Sequence, residues 1–272
     1  MNIKMKPKVR GRLRLFLGRI YFSAKRHILW CFGGIKFASR TADALPYEHC
    51  SHSTPLFRKL KDVDMRLQSN KVVNLKIAIE KLDQATINPG ETFSFWKLVG
   101  RPTKRKGYLQ GMVLKNGKVT AATGGGLCQM SNLIYWLTLH TPLTVTERHR
   151  HGYDVFPDSN RTQPFGSGAT CFYNYGDLMI KNNTHSRFQL KLEITENMLK
   201  GIWVSDTPPE FEYEVYEKDH IIRHEYWGGY TRHNIIHRKK YGAEGQIDDE
   251  FVADNHAIMM YAPFIGDKNH GS

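Results

Sequence analysis

The chain has 272 residues, 40% of them hydrophobic and 12% aromatic, enough for one large domain or two small ones with a true core. Its net charge of +13 is concentrated at one end: the first forty residues carry eleven Lys or Arg and no acid, leaving 28 basic against 26 acidic residues in the rest. A body so nearly neutral argues against nucleic acid as a partner, because proteins that track a phosphate backbone spread cations over the folded surface.

The four cysteines, Cys31, Cys50, Cys128 and Cys171, form no CxxC or other close pair. They read neither as a disulfide framework nor as a structural zinc site, and fit a reducing compartment. Near the N-terminus Arg12, Arg14, Arg19, Lys25 and Arg26 interrupt every apolar run, so neither a secretory h-region nor a spanning stretch of about 20 apolar residues is recognised. The expected location is cytoplasmic, with a peripheral place on the inner membrane face left open.

Residues 1–40 are expected to form a basic N-terminal segment. Between Gly11 and Phe32, Leu13, Phe16, Leu17, Ile20, Ala24, Ile28 and Cys31 recur at helical spacing with bases between them, which predicts a basic amphipathic helix. Two readings stand: the helix lies on an anionic membrane surface, where each base adds about 1 kcal/mol, or it packs its apolar face on the domain. Residues 41–70 lack a clear period and read as an irregular connection.

A core domain is expected over 71–206. It begins with a helix over 72–82, followed by the Asn88-Pro89-Gly90 turn and a short strand from Thr92 to Phe95. Strands around Met112–Leu114 and Val119–Ala121 flank Asn116-Gly117, a pair suited to the positive φ angles of a two-residue hairpin turn. Three glycines then run into a helix over 128–139, stopped at Thr141-Pro142, and Val145–His151 reads as a strand. Further strands are expected at 178–181, 188–194 and 201–204, the last two joined by a turn at Glu196-Asn197. Residues 207–272, which alternate aromatics with charges, are expected to add a β-rich extension packed on the core. The whole predicts an α+β fold with a mostly antiparallel sheet and a Gly-rich turn leading into a central helix.

The chemistry centres on Gly124-Gly125-Gly126-Leu127-Cys128-Gln129. Glycines permit a tight turn and close approach, and a thiol at a helix start meets free N–H groups and the positive end of the dipole. Such a site is expected to lower the thiol pKa and to hold an oxyanion, with Gln129 or Ser131 adding a donor. In a strand, Glu147, His149 and His151 share one face, so either imidazole is a candidate proton acceptor and Glu147 a candidate orienting group, with Asp154 and Asp177 as weaker alternatives. Other readings stay open. Cys128 is also the kind of small residue that cores bury, the glycines also serve packing, and Cys128, His149 and His151 are donor types that zinc accepts. Cys31 and Cys171 read as inert, and Cys50, between His49 and His52, as exposed and idle. No cofactor is called for, and no pattern sets the oligomeric state.

Three ordered motifs then make the sequence recognisable. Ile87-Asn88-Pro89-Gly90-Glu91-Thr92-Phe93-Ser94-Phe95, the run Gly124-Gly125-Gly126-Leu127-Cys128-Gln129-Met130-Ser131-Asn132, and Glu147-Arg148-His149-Arg150-His151 resemble the VanW family. The likeness extends to Asp177-Leu178 and Lys181-Asn182-Asn183-Thr184, and is firm from about Asn70 to Val204. The basic N-terminus and total length resemble the short, stand-alone members found with glycopeptide resistance. This resemblance implies bacterial cell-wall biology and, for some multidomain members, L,D-transpeptidase activity on peptidoglycan stem peptides, with Cys128 at the nucleophile position. It implies a stem peptide or wall precursor as partner, and leaves a non-catalytic accessory role as the alternative for short members. Gly168 stands where many relatives carry Asp before the Ala-Thr pair.

Overall fold

The computed structural model describes residues 11–57, 64–115, 117–155 and 163–263. Asn116 of the predicted hairpin turn, and the outer parts of both terminal segments at 1–10 and 264–272, lie outside the described residues.

Helix α1 spans Arg12–Phe32 and is followed by strands β1 (Ser39–Arg40) and β2 (Tyr47–Pro55). Helix α2 (Met65–Leu82) starts where the Asp64 side chain accepts the Arg66 N–H, and its Leu75, Ala78 and Leu82 recur on one buried face. Strands β3 (Ala85–Ile87) and β4 (Thr92–Ser94), the short helix α3 (Phe95–Val99) and the hairpin of β5 (Gln110–Lys115) and β6 (Lys118–Thr123) lead to the central helix α4, Cys128–Thr138. Strands β7 (Thr144–Glu147), β8 (Tyr153–Asp154), β9 (Met179–Lys181), β10 (Phe188–Ile194) and β11 (Met198–Ser205) follow, and β12 (Glu212–His224), β13 (Tyr230–Gly242) and β14 (Gly245–Met259) complete the chain.

Among the described residues four sheets result, their strands antiparallel except for the short β14–β8 pairing. The largest runs β1-β3-β10-β11-β2, the three-stranded one β4-β9-β7, and the C-terminal one β12-β13-β14-β8, with β5-β6 as a separate ribbon. This is the α+β architecture expected, antiparallel and built around a helix that follows the glycine turn. Helix α4 lies on β11 and β2 and buries Met130, Leu133, Ile134 and Leu137, the 3.6-residue stripe of a core-facing helix. Opposite them, the fully buried Trp203 meets Phe93 edge to face at 6.4 Å and donates its indole N–H to Thr138 Oγ1 at 3.2 Å. The C-terminal sheet is fastened to this body by Arg238, which donates to the carbonyls of Leu139 and Thr141, and by Asn234, which donates to that of Phe165.

Two expectations are corrected. Residues 41–70 contain a nine-residue strand, β2, rather than an irregular connection, and α2 begins at Met65 rather than near 72. The strand escaped notice because Glu48-His49-Cys50-Ser51-His52-Ser53-Thr54 is polar throughout; β2 is an edge strand with β11 as its one neighbour, so hydrogen bonding rather than burial holds it. The strand expected over Val145–His151 ends at Glu147. Beyond it Arg148 turns away to the carbonyls of Gly166 and Gly168, and His149 O accepts from Thr170 N, so this stretch leaves the sheet.

Truncation tests the packing of α4. Leu133→Ala, at a site 1% exposed, is expected to cost about 2–5 kcal/mol in urea unfolding, whereas Val119→Ala on the outer hairpin, 41% exposed, should stay within about 0.5 kcal/mol.

Candidate functional site

The glycine run is shaped by its neighbours. Gly124 and Gly126 adopt positive φ of 75° and 94°, where side chains are strained. A Cβ on Gly125 would come 2.0 Å from the Gly111 carbonyl oxygen, and one on Gly126 would come 2.1 Å from Lys71 Cγ. Asn74 donates to Gly125 O at 2.9 Å. These glycines therefore let the turn press against β5 and α2, which places the first residue of α4, Cys128, at a fixed point in the interior.

Cys128 Sγ lies 4.0 Å from the carbonyl oxygen of Cys171. Burial pushes the thiol pKa up, against the lowering expected at a helix start; the cysteine's own N–H acts in the expected sense but is outweighed by desolvation. The neighbouring Cys171 is raised well above its ordinary value, first by burial and then by its nearness to Cys128. The proposed additional donors are engaged elsewhere. Gln129 N–H bonds Gly126 O, its side-chain amide reaches Thr54 and Pro55 on β2, and Ser131 Oγ donates to Ala169 O at 2.7 Å. Both side chains thus seat the helix rather than face an open site.

The segment from Gly168 to Phe172 contacts both the helix that carries the thiol and the stretch that carries the histidines. From the helix Ser131 and Asn132 bond the Ala169 backbone, and the Cys128 sulfur faces Cys171 O. From the histidine stretch His149 O accepts from Thr170 N at 2.8 Å, and the His151 ring stands edge-on to Phe172 at 5.8 Å. Among the described residues no imidazole is hydrogen-bonded to the Cys128 sulfur. Burial lowers the His151 pKa, with Arg150 adding to the effect, and so favours its neutral, proton-accepting form. At Gly168 a Cβ would lie 2.6 Å from Asn132 Oδ1, the atom that accepts Ala169 N, so a side chain there would press on that hydrogen bond.

Glu147 and His149 are brought together as expected, His149 Nε2 lying 2.8 Å from Glu147 Oε1. The same oxygen accepts from the Asp177 N–H at 2.9 Å and from Arg26 Nη2 at 2.5 Å. Arg26 comes from α1, is 7% exposed, and also donates to Asn174 O at 3.1 Å. Sequence reasoning missed it, since nothing in the pattern separates Arg26 from the other bases of the helix. Asp177, read only as a weaker candidate, is fully buried and accepts from Ser94 Oγ and from the backbone N–H groups of Trp96 and Leu178. Asp154, the other, pairs with Arg232 at 3.4 Å in the C-terminal sheet.

Burial and bonding split the two carboxylates. For Glu147 burial favours the acid, but hydrogen bonds from His149 and Arg26 prevail and bring the pKa down to about 2. For Asp177 burial prevails over its donors, and the pKa rises to about 6.

The remaining cysteines differ from expectation in part. Cys171 is buried, but Cys31 is exposed, because the apolar face of α1 is largely uncovered. Cys50 is not idle on the surface: its thiol donates to Leu137 O at 3.2 Å, and burial raises its pKa to about 12. The zinc reading of Cys128 with His149 and His151 lacks a donor set. Among the described residues, metal-type donors converge in threes at His233, Asp254 and His256 instead. A concavity lined by Asp83, Gln84, Gln189, Lys191 and Lys200 among others includes none of the residues around Cys128.

The α+β core thus has a glycine turn that delivers a cysteine to the head of a buried helix, and a Glu-His pair in the stretch after that helix. The family profile described as VanW like protein matches residues 70–204, and the chain belongs to the VanW family. It is 37% identical over 185 residues to the vancomycin B-type resistance protein VanW of Enterococcus faecalis, covering 68% of this chain and 67% of that one. It is also 31% identical over 109 residues to the uncharacterized protein YoaR of Bacillus subtilis, covering 40% of this chain and 34% of that one. No solved structure matches the chain significantly.

The split carboxylates predict a two-limbed pH dependence. Unfolded Glu and Asp titrate near about 4.3 and about 3.9. Glu147, held at about 2, adds stability that is complete above about pH 4.3 and is lost as pH falls through 2. Asp177, held at about 6, acts with the opposite sign: its contribution is complete below about pH 3.9 and is lost as pH rises through 6. Urea midpoints measured from about pH 2 to 8 should show Glu147→Gln flattening the acid limb and Asp177→Asn flattening the fall between about pH 4 and 6. Profiles superimposable on wild type would mean that neither carboxylate is perturbed.

Proposed function

We propose that this chain acts in bacterial cell-wall metabolism as a cysteine-dependent acyl transferase on peptidoglycan stem peptides or their precursors, resembling an L,D-transpeptidase. The observation that carries the reading is the placement of Cys128 at the head of α4, against a Gly168–Phe172 segment that also contacts His149 and His151. The relation to a vancomycin-resistance protein supports the substrate class.

In this scheme His149 or His151 takes the thiol proton, and the sulfur attacks the carbonyl of an L-centre. Backbone N–H groups at the head of α4, from Gly126 to Cys128, hold the oxyanion, those of Gly124, Gly125 and Gln129 being bonded to carbonyls. The C–N bond to a terminal D-residue then breaks, the imidazolium returns its proton to the leaving amine, and an amine of a second stem displaces the thiol from the thioester. Glu147, kept ionised by His149 and Arg26, orients the base. Because burial favours the protonated thiol and no imidazole among the described residues is bonded to it, the scheme requires a histidine to come within reach of the sulfur before proton transfer. That same burial favours a second reading, a non-catalytic accessory protein that binds precursor or a partner enzyme and uses Cys128 only for packing.

The N-terminal helix supports a proposal about place. Leu13, Phe16, Leu17, Ile20 and Ile28 are more than half exposed, while Arg26 ties the helix to the core. No helix among the described residues is long and apolar enough to cross a membrane. With Arg12, Arg14, Arg19 and Lys25 beside that uncovered face, we propose that α1 lies on an anionic inner leaflet, the body remaining cytoplasmic.

Two experiments test these proposals. Mass spectrometry after incubation with a stem tetrapeptide or pentapeptide should find a covalent adduct in wild type and none in Cys128→Ala. No adduct, together with thiol labelling no faster than that of free cysteine, selects the accessory reading. For the helix, sedimentation with phosphatidylglycerol vesicles should deplete the protein from solution. Phosphatidylcholine vesicles, or the variant Leu17→Glu/Ile20→Glu, should deplete it at least about tenfold less, and added salt should weaken binding. Equal binding to both lipids would remove the electrostatic argument.

A further inference from the structure

The C-terminal sheet carries a group of donors that the proposed chemistry does not use. His233 on β13 and His256 on β14 are directly opposite each other, and Asp254 is two residues before His256, on the same face. The two imidazoles stack at 4.0 Å between centroids with their planes 11° apart, and both present Nε2 to one oxygen: Asp254 Oδ1 lies 2.8 Å from His233 Nε2 and 3.0 Å from His256 Nε2. One donor atom from each residue lies within 4.8 Å of the other two.

From this we propose that His233, Asp254 and His256 form a binding site for a divalent transition-metal ion of the zinc type. Two neutral imidazoles and a carboxylate are nitrogen and oxygen donors of the kind such ions take, and three protein ligands leave a coordination position for water or an incoming group. Tetrahedral zinc, with bonds of about 2.0–2.1 Å, separates its ligand atoms by about 3.4 Å. The two histidine-to-carboxylate separations need open by only about half an ångström, which side-chain rotation supplies, since Asp254 is half exposed and the two histidines are partly exposed. The backbone already has the right register. A bound ion draws both imidazoles and the carboxylate away from their mutual contacts and clamps β13 to β14. Hard ions are disfavoured, because two of the three donors are imidazole and magnesium prefers oxygen and retained water. The site is separate from Cys128, so the acyl-transfer proposal and this one stand or fall independently.

The test uses the full chain purified without a histidine tag and titrated with Zn²⁺ by calorimetry. Wild type and Cys128→Ala should each bind one equivalent saturably, and Mg²⁺ should not compete. His233→Ala and His256→Ala should each weaken Zn²⁺ binding at least about tenfold while leaving the metal-free circular dichroism and thermal midpoint near wild type. Titration of the wild type with Co²⁺ gives a readout that needs no variant, since tetrahedral nitrogen–oxygen ligation produces visible absorption bands that Zn²⁺ then abolishes. Absence of saturable Zn²⁺ binding in the wild type, or binding that the His233→Ala/His256→Ala double variant leaves unchanged, overturns the proposal.

Discussion

The guanidinium of Arg26, inserted from the N-terminal helix against Glu147, is the contact that ties that helix to the stretch bearing the histidines. An Arg so deeply covered is costly to hold unless its donors are met, and here they go to a carboxylate, a backbone carbonyl and a methionine sulfur. Glu147 in turn orders His149 and the Asp177 N–H, and Asp177 fixes the start of α3 through Trp96 and Ser94. A helix that otherwise offers its apolar face to the outside is thus pinned to the residues next to the cysteine. Wherever α1 docks, its position is transmitted to Glu147 without an intervening loop.

The thiol illustrates a contest between two physical effects at one atom. A helix start favours thiolate by a partial charge acting over one turn, and its influence is modest. Removing the sulfur from water favours thiol, and here that effect prevails over the helix start. Position along a helix is visible in sequence, whereas enclosure is a property of what folds over it. That is why the expected direction of the shift was reversed although the helix itself began at the anticipated residue.

The same distinction accounts for what was legible elsewhere. Helix α4, the β5–β6 hairpin and the β10–β11 pair carry strong periodicity or turn chemistry, and the structure has them within a few residues of expectation. Strand β2 carries neither, since an edge strand held by one neighbour need not alternate. The pairing of Glu147 with His149 was legible from their spacing, although they meet at a strand end rather than along a strand face. Arg26 was not, because its partner lies 121 residues away and one basic residue in a basic helix has no distinguishing mark.

Among the described residues the C-terminal sheet leaves β12, thirteen residues long, bonded to a strand on one side only. A bare ladder of that length is a template onto which another chain can add. Acidic and basic side chains, Glu212, Glu214, Glu217, Lys218 and Asp219, crowd its first half, and an irregularity between Glu217 and Asp219 breaks the straight run of hydrogen-bonding groups. A second molecule approaching edge to edge would meet repelling charges and a mismatched register, so a long ribbon can project from the body with little tendency to seed fibres.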